Sequence, residues 1–337
     1  YPELLRVAVC GAANDHRLGA NEAPPAIISI FLGDQLQDVM DQLEKGKPQS
    51  TKQGGFMEIG VSVLPKLPRD AGDRNRTSPF AFTGNKFEFR AVSSGQNISF
   101  PNTALNAAMA DALDEVATEL EKVTAKGEDL KGAVAKLLTK IIKEHKRIVF
   151  NGNNYAVEWE KEAGKRKLLN LKNTVDALPQ LVTPEVTKLF ERYKILNERE
   201  LHARYEVFLE NYNKTINVEG QLMVLMANRY ILRAALESQK QIGQSVAAVK
   251  AGGATSVQGK KLLAKYTKLV DQLRSQTDAL AALLDHSAGS AEKHAKYMRD
   301  KVVPAMSKLG EVGDETEVLT PHELWPLPTY REMLFVK

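Results

Sequence analysis

Apolar and polar positions change rhythm partway along the chain. In the first hundred residues the pattern is short and alternating. Lys86-Phe-Glu-Phe-Arg-Ala-Val92 repeats with period two, which predicts a strand. Lys86, Glu88 and Arg90 then share one face, and Phe87 and Phe89 point the other way, into a core. Residues 56–64 have the β-branched content of a second strand. Beyond Asn102 the period lengthens to that of a helix. Leu105, Met109, Ala112, Val116, Leu120 and Val123 predict a helix from about Thr103, with Asn102 as its cap. Val134, Leu137, Leu138, Ile141 and Ile142 predict another. Residues 146–182 read as a break with short elements. Helical spacing returns from 184 to 251 through Leu189, Phe190, Tyr193, Leu196, Leu201, Tyr205 and Phe208, with an interruption expected at 213–219. Ala251-Gly-Gly-Ala-Thr255 signals a turn. Leu262, Tyr266, Leu269, Leu273, Leu280 and Leu284 then form a stripe that predicts a helical hairpin. The tail Trp325-Pro-Leu-Pro-Thr329 is excluded from any helix interior.

Glycine and proline follow the same division. Residues 1–101 hold 10 Gly and 8 Pro of the chain's 22 and 14. Loops and short strands therefore belong to the first hundred residues and helices to the rest. With 43% hydrophobic and 26% charged residues among 337, the composition is that of a folded chain, not a disordered one. The length suggests about two domains. No apolar run approaches the roughly 18 residues of a membrane-spanning helix, so no membrane partner is expected. The start, Tyr1-Pro-Glu-Leu-Leu-Arg6, has neither a signal peptide's pattern nor an initiator Met, which suggests a piece of a longer chain. The single cysteine, Cys10, excludes an intrachain disulfide and a zinc site of several thiolates, and suits a cytoplasmic compartment. A net charge of +4 permits anionic ligands without demanding nucleic acid, and no nucleic-acid partner is expected.

Several generic signals carry little. Gly253-Ala-Thr-Ser-Val-Gln-Gly259-Lys-Lys261 imitates a phosphate-binding loop, but has one residue too many between its glycines and Lys261 where Ser or Thr belongs. The sequons at Asn75, Asn97 and Asn213 are chance in a cytoplasmic chain. His145, His202, His286 and His294 lack paired spacing and read as solvated. The basic run 161–172 is broken by Glu162 and reads as a solvated face.

Three segments hold the chemistry. Asn14-Asp-His-Arg-Leu-Gly-Ala-Asn-Glu-Ala-Pro-Pro25 crowds cations, acids and amides together before a Pro-Pro stop. Asp73-Arg-Asn-Arg-Thr-Ser-Pro79 sets two arginines around an asparagine, suited to phosphate or carboxylate. In the Lys86/Glu88/Arg90 face a carboxylate lies between two cations, either a salt-bridge ladder or a metal ligand beside an anion site. Arginines for anions and a carboxylate for a metal are the means of phosphoryl transfer.

These segments, in this order, resemble glutamine synthetase. The resemblance continues through Asn102-Thr-Ala-Leu-Asn-Ala-Ala-Met109. In Glu219-Gly-Gln-Leu-Met-Val-Leu-Met226 and Trp325-Pro-Leu-Pro-Thr-Tyr-Arg331 it is closest to the long type III branch. It covers essentially the whole chain but only the C-terminal half of such a subunit.

The resemblance implies an α+β fold: the C-terminal part of the family's catalytic domain, antiparallel strands with flanking helices, then a long helical region. The implied divisions are 1–125 for the catalytic part, 126–318 for the helical region and 319–337 for the tail. It implies ATP-dependent ligation of ammonia to L-glutamate through γ-glutamyl phosphate, with Mg2+ or Mn2+, in stacked homo-oligomeric rings in the cytoplasm. Arg17 matches the residue holding the glutamate carboxylate, although its spacing to Glu22 is one residue shorter than in type I enzymes. Glu22 matches the flap glutamate that takes a proton from ammonium, and Gly19 and Ala20 would let the flap bend. Arg76 matches the arginine on the transferring phosphoryl group and nucleotide, and Lys86 stands where type I enzymes place a nucleotide arginine. Glu88 matches a metal ligand and Arg90 a substrate arginine. A further nucleotide arginine has no counterpart, because Ala81 occupies its place. The remaining metal ligands of the family lie upstream, so residues 1–337 alone are expected to be inactive. The rival reading is a non-catalytic helical scaffold or binding protein derived from the same family. An RNA-binding helical protein, resting on mild basicity alone, is the weakest reading.

Overall fold

The computed structural model describes residues 1–18, 26–46, 56–57, 67–68, 77–286, 289–328 and 330–334. The chain divides into two compact units, Tyr1–Phe208 and Leu209–Lys337.

The first unit combines a small sheet with helices. Strand β1 (Ile30–Phe31) is followed by the helix Gly33–Glu44. Residues Phe56–Met57 (β2) and Leu67–Pro68 (β3) form an antiparallel pair. Strand β4 (Phe80–Phe82) runs parallel to β1 and antiparallel to β5 (Phe87–Phe89), in the order β1-β4-β5. The sheet is therefore mixed, not purely antiparallel as expected. Parallel neighbours need a long crossover, and the connection from β1 to β4 contains the helix Gly33–Glu44. Of the strand expected over 56–64, Phe56–Met57 is a strand, and 58–66 lie outside the described residues.

Trp159 anchors a cluster with Ile27, Ala163 and Leu168. Its ring stacks on Phe150 at 3.8 Å and 12°, and the Arg166 guanidinium lies over the Trp159 ring, 5.4 Å from its centroid. Arg166 also pairs with Glu162 at 2.9 Å. The short helices Val157–Lys165 and Thr174–Ala177 agree with the broken pattern expected at 146–182.

The helix expected from Thr103 starts earlier, at Ser99, and runs to Thr124. Asn102 lies inside it and caps nothing. Pro101 is tolerated in the first turn because N–H groups there have no intrahelical acceptor. The buried line is Pro101, Ala104, Ala107 and Asp111, not the expected Leu105/Met109/Ala112 stripe, and Met109 is 58% exposed. Small side chains let this helix approach Pro2–Ala8 and Pro184–Arg192 closely. Asp111 accepts hydrogen bonds from the Tyr1 and Tyr193 hydroxyls and pairs with Arg192.

The second unit is built from long helices. Asn213–Glu219 does not interrupt the helix, which runs from Glu198 to Met226. The irregularity comes later, as a π-helical turn at Ala227–Ile231 before the helix resumes at Leu232–Ala251. The expected turn follows, with Gly253 at φ +81°. The next helix, Val257–Leu284, buries Tyr266, Leu269, Leu273 and Leu280 and packs along both Leu232–Ala251 and Val303–Leu319. The predicted hairpin is thus part of a three-helix layer. The Tyr266 hydroxyl and Thr320 Oγ1 share a 2.6 Å hydrogen bond. A Cβ at Gly220 would come within 2.8 Å of Leu284 Cδ2, so a larger residue there requires the Leu284 side chain to move. The phosphate-loop imitation at 253–261 joins two antiparallel helices and lacks the preceding strand. None of the described helices is long and apolar enough to cross a membrane.

Two stability predictions follow from these contacts. Trp159→Ala should cost about 3–5 kcal/mol through cavity formation, read as faster amide exchange across Val157–Lys165. A loss below about 1 kcal/mol would deny the ring its anchoring role. Burial opposes the Asp111 charge, but hydrogen bonds from Tyr1 and Tyr193 and the Arg192 cation hold its carboxyl below the ordinary 3.8. Its contribution is therefore present above pH 3.8 and lost as pH falls through the lower folded value. Asp111→Asn should lower the urea midpoint at pH 6, and the gap to the parent should narrow as the pH falls below 3.8, so parallel curves would contradict this sign.

Candidate active site

The site is assembled on the β4–β5 hairpin. Antiparallel register pairs Phe80 with Phe89, Ala81 with Glu88 and Phe82 with Phe87. Thr83 N–H donates to the Lys86 carbonyl at 2.9 Å, and Gly84 at φ +95° takes the backbone geometry that closes the turn. Arg90 N–H donates to the Pro79 carbonyl at 2.8 Å and extends the ladder. Alternation then separates two faces.

One face is aromatic. Phe80 meets Phe89 edge-on at 5.7 Å and Phe87 at 5.5 Å, and Phe82 meets Phe87 at 5.3 Å. This face does not enter a core as expected, for Phe87 is 47% exposed. Its rings cover one another at the hairpin, where β1 reaches only Phe80 and Ala81.

The other face carries the predicted charge triad. Glu88 receives Lys86 Nζ on Oε1 and Arg90 Nε on Oε2, both at 3.1 Å. The Lys86 and Arg90 contacts hold the Glu88 carboxyl below its ordinary range, so it is ionised at neutral pH. Ala81, opposite Glu88, is fully buried.

Arg17 is held against the segment that leaves the hairpin by a tightly fixed loop. Asn14 is wholly buried and donates Nδ2 to the Val9 carbonyl at 2.6 Å and to the Ala91 carbonyl at 3.1 Å. Arg17 Nη2 then donates to the Val92 carbonyl at 3.0 Å and the Arg90 carbonyl at 3.5 Å. Behind the loop, Asp15 accepts from Thr174 N–H at 2.9 Å and from its hydroxyl at 2.8 Å. Burial raises the Asp15 carboxyl above its ordinary value against those two hydrogen bonds. Burial also lowers the guanidinium of Arg6, whose Nε donates to the Leu171 carbonyl at 2.7 Å, and pushes the Cys10 thiol up to about 12. Cys10 is therefore a neutral packing group, not a nucleophile.

The structure thus brings Arg17, Lys86, Glu88 and Arg90 to one hairpin. Glu22 and Arg76, with Gly19 and Ala20, lie outside the described residues. Asn14 and Thr174 position the loop, and the sequence reading assigned neither that task. Asn14 stands in a segment already singled out, whereas Thr174 contacts Asp15 across 159 residues without any local signal.

A divalent ion takes six or more oxygen ligands. Among the described residues no three His, Cys, Asp or Glu side chains cluster, and both Glu88 oxygens already face cations. The described residues therefore do not compose a metal site by themselves.

Residues 133–250 match the model of the glutamine synthetase C-terminal domain family. Over the whole chain, 35% of residues are identical to "Type-3 glutamine synthetase" of Dictyostelium discoideum, covering 100% of this chain and 47% of that protein. A "Glutamine synthetase" of Butyrivibrio fibrisolvens is 36% identical over 99% of this chain and 48% of its own length. One of Bacteroides fragilis is 34% identical over the same shares, 99% and 48%. The chain spans about half the length of each of these relatives. Similarity from end to end, with the family's C-terminal domain matched inside it, places the expectation drawn from the three motifs on firm ground: the chain belongs to the glutamine synthetase family.

Proposed function

We propose that this chain takes part in ATP-dependent ligation of ammonia to L-glutamate through γ-glutamyl phosphate, within a longer subunit of a homo-oligomeric ring assembly. The observation that supports this most is the hairpin's charge arrangement: Lys86 and Arg90 both pair with the Glu88 carboxylate, and Arg17 is bonded to the Arg90 and Val92 carbonyls of the same segment. The proposed division gives 1–125 to the catalytic domain, 126–318 to the helical region and 319–337 to the tail.

A carboxylate resists ammonia because it has no adequate leaving group, and phosphorylation supplies one. Arg17 and Arg90 would hold the carboxylates of glutamate, since guanidinium forks match such oxygens. Lys86 would face the nucleotide. Arg76 would meet the negative charge that builds on the transferring phosphoryl group. Glu22 would close over the site, accept the ammonium proton and keep water from the acyl phosphate. Glu88 would give one oxygen to a Mg2+ or Mn2+ ion whose other ligands come from outside the described residues. The low proton affinity of Glu88 suits such a role, because the carboxylate stays charged.

Two measurements test this reading. Residues 1–337, purified, should release no phosphate from ATP in a manner dependent on both glutamate and ammonium, and such release would show that one carboxylate suffices. In a subunit of the relatives' length carrying this sequence, Arg76→Ala should lower kcat about 100- to 1,000-fold, as for the loss of one preorganised charge contact. Unchanged turnover in that variant would remove Arg76 from the mechanism and favour a scaffold.

A further inference from the structure

The helix Ala12–Asp15 is a single turn, and Arg17 follows two residues after it. Asn14 N–H donates to the Gly11 carbonyl at 2.9 Å. The Arg17 and Leu18 N–H groups donate to the Asn14 carbonyl at 3.1 and 2.9 Å. The backbone of Arg17 is therefore fastened to this turn and follows its orientation. A helix this short has little stability of its own, so its orientation is set by what surrounds it.

One side chain grips both ends of the turn. Thr174 Oγ1 accepts from Gly11 N–H at 2.7 Å, at the start, and donates to Asp15 Oδ1 at 2.8 Å, at the end. Chemistry fixes the direction of this relay. An amide N–H only donates and a carboxylate only accepts, so a hydroxyl, which does both, is needed between them. Thr174 N–H completes the grip on Asp15 Oδ2 at 2.9 Å. Thr174 is itself fixed. It is buried and opens the helix Thr174–Ala177, where the Asn173 side chain caps by accepting from Asp176 N–H. It also lies within residues 133–250, the part matched to the family's C-terminal domain.

Arg17 spends only Nη2 on the Arg90 and Val92 carbonyls. Among the described residues its Nε and Nη1 have no hydrogen-bond partner, so they remain available to a carboxylate. Lys86, Glu88 and Arg90 are ordered differently, by the β4–β5 ladder and their own ion pairs, and none of them bonds to Thr174 among the described residues. Loosening Thr174 thus frees Arg17 and leaves the hairpin in place. We propose that Thr174 is a positioning residue for Arg17, whose hydroxyl fixes the guanidinium for the glutamate carboxylate and so sets the affinity for glutamate but not for ATP. The inference rests on the proposed role of Arg17 in holding glutamate, and extends it by giving the C-terminal domain a part in ordering the glutamate site.

Steady-state kinetics of glutamine formation test this in a subunit of the relatives' length carrying this sequence. Thr174→Val keeps the side chain's shape and removes both its donor and its acceptor. It should raise the KM for glutamate about 10-fold or more, as for a slight misplacement of a substrate-holding group, and leave the KM for ATP unchanged. Thr174→Ser keeps the hydroxyl and should return the parent KM for glutamate. Asp15→Asn disturbs the other end of the same bond and should also raise that KM, with the double variant no worse than the worse single one. This second pair of variants decides the matter where Thr174→Val does not fold. A KM for ATP that rises alongside, a serine variant that behaves like the valine one, or additive effects of Thr174→Val and Asp15→Asn would each overturn the proposal. Arg17→Lys separates the two levels of the argument. If it leaves the KM for glutamate unchanged, the role of Arg17 falls and this inference with it. If it raises that KM while Thr174→Val does not, this inference alone falls.

Discussion

A single buried amide holds the candidate site together. Asn14 spans the Val9 and Ala91 carbonyls, and so ties the loop after the helix Pro2–Ala8 to the strand that leaves the hairpin. Wholly buried carbonyls must find donors, and one Asn side chain serves two of them. Everything about Arg17 depends on this clamp, because its guanidinium reaches the Arg90 and Val92 carbonyls only if the loop lies against β5. The Asp15–Thr174 contacts hold the same loop from behind.

Charge on the hairpin is balanced locally. Glu88 sits between Lys86 and Arg90, with Arg90 the more buried of the two cations. In the described residues the carboxylate is neutralised by side chains. The aromatic face of the same hairpin provides the stiffness, since four rings in mutual contact resist twisting of two short strands. Family membership and geometry agree here, for the hairpin that carries the matched motif also gathers the cations.

Much of this was legible beforehand, for particular reasons. The shared face of Lys86, Glu88 and Arg90 follows from the two-residue period of a strand and needs no tertiary information. The hairpin around Gly253 was legible because the glycine pair punctuates two long stripes. The face of the helix Ser99–Thr124 was misjudged because Ala104 and Ala107 count for little as hydrophobes, yet they permit close approach and are buried. The interruption expected at 213–219 is absent: the helix continues through it, and the Asn213 amide donates to the Ala291 carbonyl, 78 residues on.

The sequence by itself determined the family, the division into a loop-and-strand part and a helical part, and the residue types available for anion chemistry. These depend on local order and periodicity, which are properties of the chain as written. Tertiary structure decided which of those residues meet. Arg17 and Val92 are 75 positions apart, and Asp15 and Thr174 are 159 apart. Their meeting follows from burial and from the need of buried polar groups for partners, neither of which any local pattern encodes.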